Sequence, residues 1–68
     1  MTDLESLERL LKNDRRNLDA VRNGDEARRI AADCVVRWKQ ARALGEREPI
    51  LTSEFNLVVA ANLMERWP

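Results

Sequence analysis

The segment from residue 25 to residue 44 constrains the fold more than any other part of the chain. Its apolar residues recur at spacings of three and four, which places them on one face of an α-helix. That face carries Ala27, Ile30, Ala31, Cys34, Val35, Trp38, Ala41 and Leu44. Asn23 and Gly24 precede the segment and Gly45 follows it, and these residue types are typical of helix ends. We therefore predict an amphipathic helix over about residues 25–44, against which the rest of the chain packs.

The first twenty residues predict another helix of similar length. Residues 2–5 match a capping box, in which the Thr2 hydroxyl accepts a hydrogen bond from the backbone N–H of Glu5. A helical seam follows, made of Leu4, Leu7, Leu11, Leu18 and Val21. This pattern predicts a helix over about residues 3–22. A short connection then predicts an antiparallel helical hairpin, with Gly24 left-handed and Asp25 as the next N-cap.

One position of the seam is polar, because Asp14 stands where the heptad pattern favours leucine. Pairing the two helices across the turn brings Asp14 near Cys34 and Arg37. An unpaired buried carboxylate is costly. We therefore predict that Asp14 lies at the edge of the seam and pairs with Arg37, or with an arginine of a second chain. Such a polar residue more often sets register and partner number than catalyses a reaction.

The remaining residues predict a linker and a short third helix. Residues 45–49 have turn-forming composition, and Pro49 disfavours helix at Glu48. Thr52 or Ser53 then caps a helix over about residues 53–66. Apolar residues surround that helix almost completely, so it must be buried on nearly all sides. Because one hairpin cannot cover it, we predict a homodimeric helical bundle whose interface contains Phe55, Val58, Val59, Leu63 and Trp67.

Length and charge balance restrict the class of protein. The 68 residues predict one all-α domain over residues 1–68 with a thin core, because short domains bury a smaller share of their surface. Twelve basic residues balance twelve acidic ones, which removes the long-range attraction of a strongly basic domain to nucleic acid or anionic membranes. The highly charged first twenty residues and the single cysteine predict no signal peptide and a cytoplasmic location.

The residue inventory favours a protein that is not an enzyme. The chain has no histidine and no tyrosine, no glycine-rich phosphate loop, and no nucleophile beside a base. Cys34 lies on the apolar face, where a buried thiol is inert. A lone cysteine without histidine does not provide a zinc site. We therefore predict no catalytic, cofactor-binding or metal-binding residues.

Charged residues near the first turn are the candidates for partner binding. Guanidinium groups bind carboxylates and phosphates through paired hydrogen bonds. The predicted partner-binding set is Arg15, Arg16, Asp19, Arg22, Asp25, Glu26, Arg28, Arg29 and Asp33. The same alternation of charges is also typical of a solvated helix surface with an ion-pair ladder, here Arg29–Asp33–Arg37. Two alternatives stay open: a nucleic-acid-binding hairpin with an Arg-rich tip, and a structural subunit of a larger assembly.

Over its full length, the chain resembles the very small, Arg-rich helical proteins that temperate bacteriophages of Pseudomonas-type hosts express early to manage their host. The size, the opening MTDLESLERLL, the two helical segments and the apolar end carry this resemblance. Within that group the chain is most similar to the quorum-sensing anti-activators. The resemblance implies a homodimer in the host bacterial cytoplasm that binds a LuxR-type transcription activator and keeps it off DNA. It also implies the pilus-assembly ATPase as a further candidate partner.

Overall fold

A computed structural model describes residues 2–67 of the chain. Over that range the chain forms three α-helices and no strand: α1 (Asp3–Asp19), α2 (Gly24–Leu44) and α3 (Arg47–Arg66). Each helix packs against the other two, and the Cα radius of gyration is 11.7 Å. The prediction of an all-helical fold is confirmed.

Local hydrogen bonds explain where α1 begins and ends. The Thr2 Oγ1 accepts from the backbone N–H of Glu5 at 3.1 Å, as the capping-box pattern predicts. The helix ends at Asp19, so its predicted extension to residue 22 is wrong. The N–H of Ala20 donates to the carbonyl of Asn17 at 3.1 Å, which tightens the last turn and satisfies an end carbonyl.

The start of α2 differs from the prediction in the roles of three residues. Asn23, not Asp25, is the N-cap, and its Oδ1 accepts from the N–H of Glu26 at 2.9 Å. Gly24 is the first residue of the helix and is not left-handed. A Cβ at Gly24 would lie 2.8 Å from the Cβ of Trp67. Glycine is therefore needed here for close packing and not for backbone conformation.

The helix α3 is longer than predicted, because it begins at Arg47 and not near residue 53. Gly45 caps α2 in the left-handed conformation with φ of 73°, and only Gly45 and Glu46 separate the two helices. Pro49 lies in the first turn of α3, where proline is tolerated because the N–H would lack a helical acceptor. The predicted cap at residue 52 or 53 is wrong as well, since the Ser53 hydroxyl donates to the Ile50 carbonyl at 2.8 Å inside the helix.

The core consists of two clusters along the bundle. One contains Leu18, Ala31, Cys34 and Ala60, and the other contains Leu7, Leu11 and Ala41. Two residues predicted for the apolar face of α2 lie at its margin, since Val35 is 37% exposed and Leu44 is 40% exposed. Trp38 is half-buried, and the Arg42 guanidinium lies 5.1 Å from its ring centroid.

The most deeply buried positions of α3 carry small or polar residues, and the larger residues Ile50, Leu57, Val59, Leu63 and Met64 pack against the core beside them. The deeply buried positions are Pro49, Ser53, Asn56 and Ala60, at spacings of four, three and four. Large apolar side chains lie on the opposite face: Leu51, Phe55 and Val58, which are 52%, 57% and 57% exposed. We call these three residues the outer stripe. Within one chain, α3 is therefore buried on one face only, because the small residues allow the closer approach to α1 and α2.

Candidate protein-interaction surfaces

The connection between α1 and α2 opens into a polar cleft of about 360 Å³. We call it the turn cleft, and its lining residues are Asn17, Ala20, Arg22, Glu26, Arg29, Ile30 and Asp33. Four of the predicted partner-binding residues thus come together here: Arg22, Glu26, Arg29 and Asp33. The capped start of α2 and the end of α1 position them, since both helices contribute to its walls.

The charges of the turn cleft differ in how much they are engaged. The Glu26 carboxylate accepts from the backbone N–H of Arg22 at 3.1 Å and lies 3.8 Å from its guanidinium. Arg29 and Asp33 are exposed, and neither forms an ion pair with a described residue. The predicted Arg29–Asp33–Arg37 ladder is therefore not formed, and the charges of Arg29 and Asp33 stay available to a partner.

Two other predicted residues lie on the far side of α2, beside the end of α3. The Arg28 Nη2 donates to the Asp25 Oδ1 at 2.7 Å. Its Nη1 donates to the Trp67 carbonyl at 3.3 Å, and Trp67 packs against Gly24. The hydrogen-bonding fork of Arg28 is therefore engaged within the chain, and it joins the end of α3 to the start of α2.

Arg15 connects the charged side of α1 to the outer stripe. Its Nε donates to the Asp19 Oδ1 at 3.3 Å, and its guanidinium carbon lies 5.0 Å from the ring centroid of Phe55. A cation over an aromatic ring is attracted by the ring quadrupole. Arg16 is exposed on α1. The predicted partner-binding set is thus divided between the turn cleft, the end of α3 and the edge of the outer stripe.

The predicted dimer-interface residues are also divided. Phe55 and Val58 belong to the outer stripe and are exposed. Val59 and Leu63 pack against the first core cluster within the chain, and Trp67 is half-buried at its end. The outer stripe follows i, i+4, i+7 spacing, which is the spacing that apolar anchors use when one helix contacts another.

A buried ion pair lies midway along α1 and α2. Asp14 is 3% exposed, and its Oδ2 lies 3.7 Å from the Arg37 Nε. The pairing of Asp14 with Arg37 is confirmed, but the carboxylate is buried and not at the edge of the seam. Neither of these two atoms has a hydrogen-bond partner among the described residues. Burial raises the pKa of Asp14, the Arg37 charge lowers it and the Asp33 charge raises it, and the net pKa shift is upward.

Cys34 is a packing residue, as predicted, since it is 1% exposed in the first core cluster. Burial raises the pKa of its thiol to about 11, and the charges of Asp14 and Asp33 act in the same direction. A thiol with this pKa is protonated at neutral pH and is a poor nucleophile. Within residues 2–67, no group of three or more cysteine, aspartate or glutamate side chains is placed to hold a metal ion.

Sequence reasoning missed two features. Asn56 is 2% exposed, and its Nδ2 donates to the Leu11 carbonyl at 3.2 Å, which joins α3 to α1. The spacing of the small and polar residues of α3 was the available signal. A cleft of about 350 Å³ also opens at the other end of α1 and α2, lined by Asp3, Ser6, Leu7, Leu10, Gln40, Ala43 and Leu44. We call it the open-end cleft.

These features define a three-helix protein with an apolar outer stripe, two clefts between α1 and α2, and an unreactive buried thiol. Comparisons of the chain with known protein families, with curated proteins and with solved structures find no match. None of the helices in residues 2–67 combines the length and the apolar character needed to cross a membrane.

Proposed function

We propose that this protein is a homodimeric inhibitor that acts in the bacterial cytoplasm by binding a regulatory protein, without enzymatic activity. In this proposal α1 and α2 form an antiparallel hairpin, the outer stripe joins two copies, and the turn cleft contacts the regulator. One observation carries the proposal: three large apolar side chains of α3 are more than half exposed on a single helix face. Exposed apolar patches of this kind mark protein–protein contacts.

The outer stripe supports a weak dimer. Covering the exposed half of each side chain contributes on the order of 1 kcal/mol. Six such side chains in two copies contribute about 6 kcal/mol before the entropy cost of association. The Arg15 guanidinium over the Phe55 ring adds the pair of residue types that is enriched in interfaces. Because about 6 kcal/mol corresponds to a Kd of only about 40 μM and the entropy cost weakens association further, we expect a dimer only at high micromolar to millimolar concentrations.

The proposed regulator is a LuxR-type transcription activator, as the resemblance implies, and the mechanism is occlusion of its DNA-binding surface. DNA-binding surfaces are basic because they contact phosphates. The turn cleft presents an unpaired carboxylate at Asp33 beside the anchored carboxylate of Glu26, and both are suited to lysine and arginine side chains. The inhibitor and DNA then compete for the same residues of the regulator.

The dimer is tested by sedimentation velocity over a concentration series. We expect Val58→Asp to be monomeric, because a carboxylate in the apolar contact is buried without a partner. Thr52→Asp is the matched control, since it adds the same charge to an exposed position of α3 outside the outer stripe. Wild-type protein that stays monomeric at millimolar concentration refutes the dimer.

The inhibitory function is tested with a purified LuxR-type regulator on labelled operator DNA. We expect the protein to release the regulator from DNA without binding DNA itself. Release should be weaker for Asp33→Lys, which places a like charge against a basic surface. If the isolated protein instead binds DNA or RNA, with affinity that falls steeply as salt is added, the nucleic-acid-binding alternative is correct and the inhibitor proposal is wrong.

A further inference from the structure

The turn cleft and the open-end cleft lie on the same side of α1. Only α1, α2 and their connection line them, and no residue of α3 takes part. Their α1 residues, continued by Asn13, follow spacings of three and four and so form one row along the helix. That row is Asp3, Ser6, Leu10, Asn13, Asn17 and Ala20.

The facing residues of α2 form a second row with the same periodicity. It consists of Glu26, Ile30, Asp33, Arg37, Gln40 and Leu44, at spacings of four, three, four, three and four. The third helix lies on another side of α1, because Glu8, Leu11 and Lys12 form a separate cleft of about 220 Å³ with α3 residues. The two clefts lie at the two ends of the surface between these rows, and we call this surface the α1–α2 groove.

The length of the α1–α2 groove matches a helix. From Asp3 to Ala20, a rise of 1.5 Å per residue gives about 25 Å, or roughly 17 residues of α-helix. Three helices with a groove between two of them leave the position that a fourth helix occupies in a four-helix bundle. We propose that the α1–α2 groove binds one basic amphipathic helix of the partner protein. This inference rests on the proposed function and names the element of the partner that is recognised.

Unpaired carboxylates make a basic helix the suitable ligand. Asp3 and Asp33 line the two clefts of the groove, and neither forms an ion pair with a residue of the described range. Arg29 is the one unpaired cation of the lining, and it stands one turn from Asp33. An acidic helix would place its charges against these carboxylates without compensation, which is unfavourable.

The buried ion pair also bears on the charge of the ligand. Arg37 belongs to the α2 row, and Asp14 lies beneath it with an Oδ2 that has no hydrogen-bond partner among the described residues. Asp33 adds a repulsive negative charge to this region, and its effect on the pKa of Asp14 is upward. A lysine or arginine that binds Asp33 offsets this repulsion. A cation is therefore favoured at Asp33 itself and not at the middle of the groove, where the Arg37 guanidinium lies.

The opposite end of the groove requires apolar residues. Leu10 is half-buried there, and Leu44 is 40% exposed. The separation of Leu44 and Asp33 along α2 is 11 residues, or about 16 Å at the rise of an α-helix. A matching helix carries leucine-like residues at one end and lysine or arginine about three turns away. This pattern distinguishes the proposed ligand from a uniformly basic peptide.

The test uses two synthetic helical peptides of about 18 residues and the full protein labelled with ¹⁵N. One peptide has leucines at one end and lysines three turns away, and the other has glutamates in place of the lysines. We expect saturable binding of the lysine peptide, with NMR shift changes at Ser6, Asn13, Asn17 and Gln40. The glutamate peptide should bind at least about tenfold more weakly, because its charges face Asp33.

Two charge-matched variants give the control. Asp33→Lys should weaken binding of the lysine peptide by about tenfold, because it reverses a charge of the groove. Glu8→Lys makes the same change of charge on the α3 side of α1 and should change the affinity less than twofold. Both positions are exposed, and far-UV circular dichroism verifies that both variants are folded.

Several results would contradict the proposal that the α1–α2 groove binds a basic helix. These are equal weakening by the two variants, equal binding of the two peptides, no saturable binding at millimolar concentration, or shifts confined to the outer stripe. If the NMR chemical shifts of groove residues change when the protein concentration is raised without any peptide, a second copy of the protein is the occupant. If the regulator is inhibited equally by wild type and Asp33→Lys, the groove and the contact of the turn cleft with the regulator are both wrong, and inhibition by protein–protein contact stands. If the peptide binds but the regulator stays on DNA, the proposed function is wrong and the groove stands.

Discussion

Replacing Asp14 with leucine should stabilise this protein near neutral pH. Asp14 occupies the seam of α1 between Leu11 and Leu18, each only 2% exposed. Its Oδ2 is 3.7 Å from the Arg37 Nε without a hydrogen bond. The attraction of the pair is thus only partly realised, whereas the carboxylate loses nearly all of its hydration. Leucine has a similar branched shape and continues the apolar seam.

The size of the gain follows from the exposure of the two partners. Replacing both partners of a buried ion pair by apolar residues ranges from neutral to about 4 kcal/mol stabilising, whereas removing one partner costs about 3–5 kcal/mol if the other charge stays buried. We expect about 1 kcal/mol for Asp14→Leu, since the Arg37 side chain is 20% exposed and its head group can turn towards water. For a chain of this length, about 1 kcal/mol raises Tm by roughly 4–8 °C.

The gain in the free energy of unfolding of Asp14→Leu depends on pH. The pKa of Asp14 is raised in the folded protein above the ordinary value of 3.8. Its contribution to stability is therefore fully present below pH 3.8 and is lost as pH rises through the folded pKa. Leucine does not titrate. The advantage of Asp14→Leu over wild type should thus be smallest at about pH 3 and grow from about pH 4 towards neutrality.

Urea denaturation followed by far-UV circular dichroism measures this difference at several pH values and one fixed protein concentration, because dimerisation shifts apparent stability. Asp19→Leu is the control, since the Asp19 side chain is 65% exposed and its loss should change the free energy of unfolding by less than about 0.5 kcal/mol. A less stable Asp14→Leu at neutral pH, or a difference that does not vary with pH, refutes the reasoning and shows that the ion pair is net stabilising.

Three further substitutions test other contacts by the same denaturation assay. Asn56→Ala removes the donor to the Leu11 carbonyl and should cost about 2 kcal/mol; a change under about 0.5 kcal/mol contradicts a structural role. Gly24→Ala places a Cβ 2.8 Å from that of Trp67, so stability and the tryptophan emission should both change, and unchanged emission argues against this contact. Gly45→Ala meets no atom within 4 Å but imposes φ of 73° on alanine, which should cost about 1 kcal/mol; a neutral result means that the turn relaxes.

Much of α1 and α2 was predictable because helix formation depends on residues within one turn of each other. The Thr2 cap and the apolar face through Ala31 and Cys34 follow from such local spacing. The Asp14–Arg37 pair was also predictable, since matching two helices of similar length across a short turn brings these residues together. The cap at Asn23 was misassigned to Asp25 because both residue types accept the same hydrogen bond.

The start of α3 was not predictable with the same rules. Pro49 is compatible with a linker and equally with the first turn of a helix. The choice between them depends on packing, because Pro49 is buried and contributes to the cleft between α1 and α3. The division of the predicted binding residues among three surfaces likewise depends on which helix neighbours each one, and spacing along one helix does not contain that information.

The sequence by itself determined the helical class and the cap of α1, because each depends on neighbours a few residues away. The tertiary structure decided which face of α3 is buried. The small and polar residues of α3 recur at helical spacing, but that spacing does not say whether they face the core or the solvent, and contact with α1 and α2 selected this face, around Asn56. That selection left Phe55 and Val58 exposed. The hydrogen bond from Asn56 to Leu11 spans 45 positions, and only the packed chain brings such distant residues together.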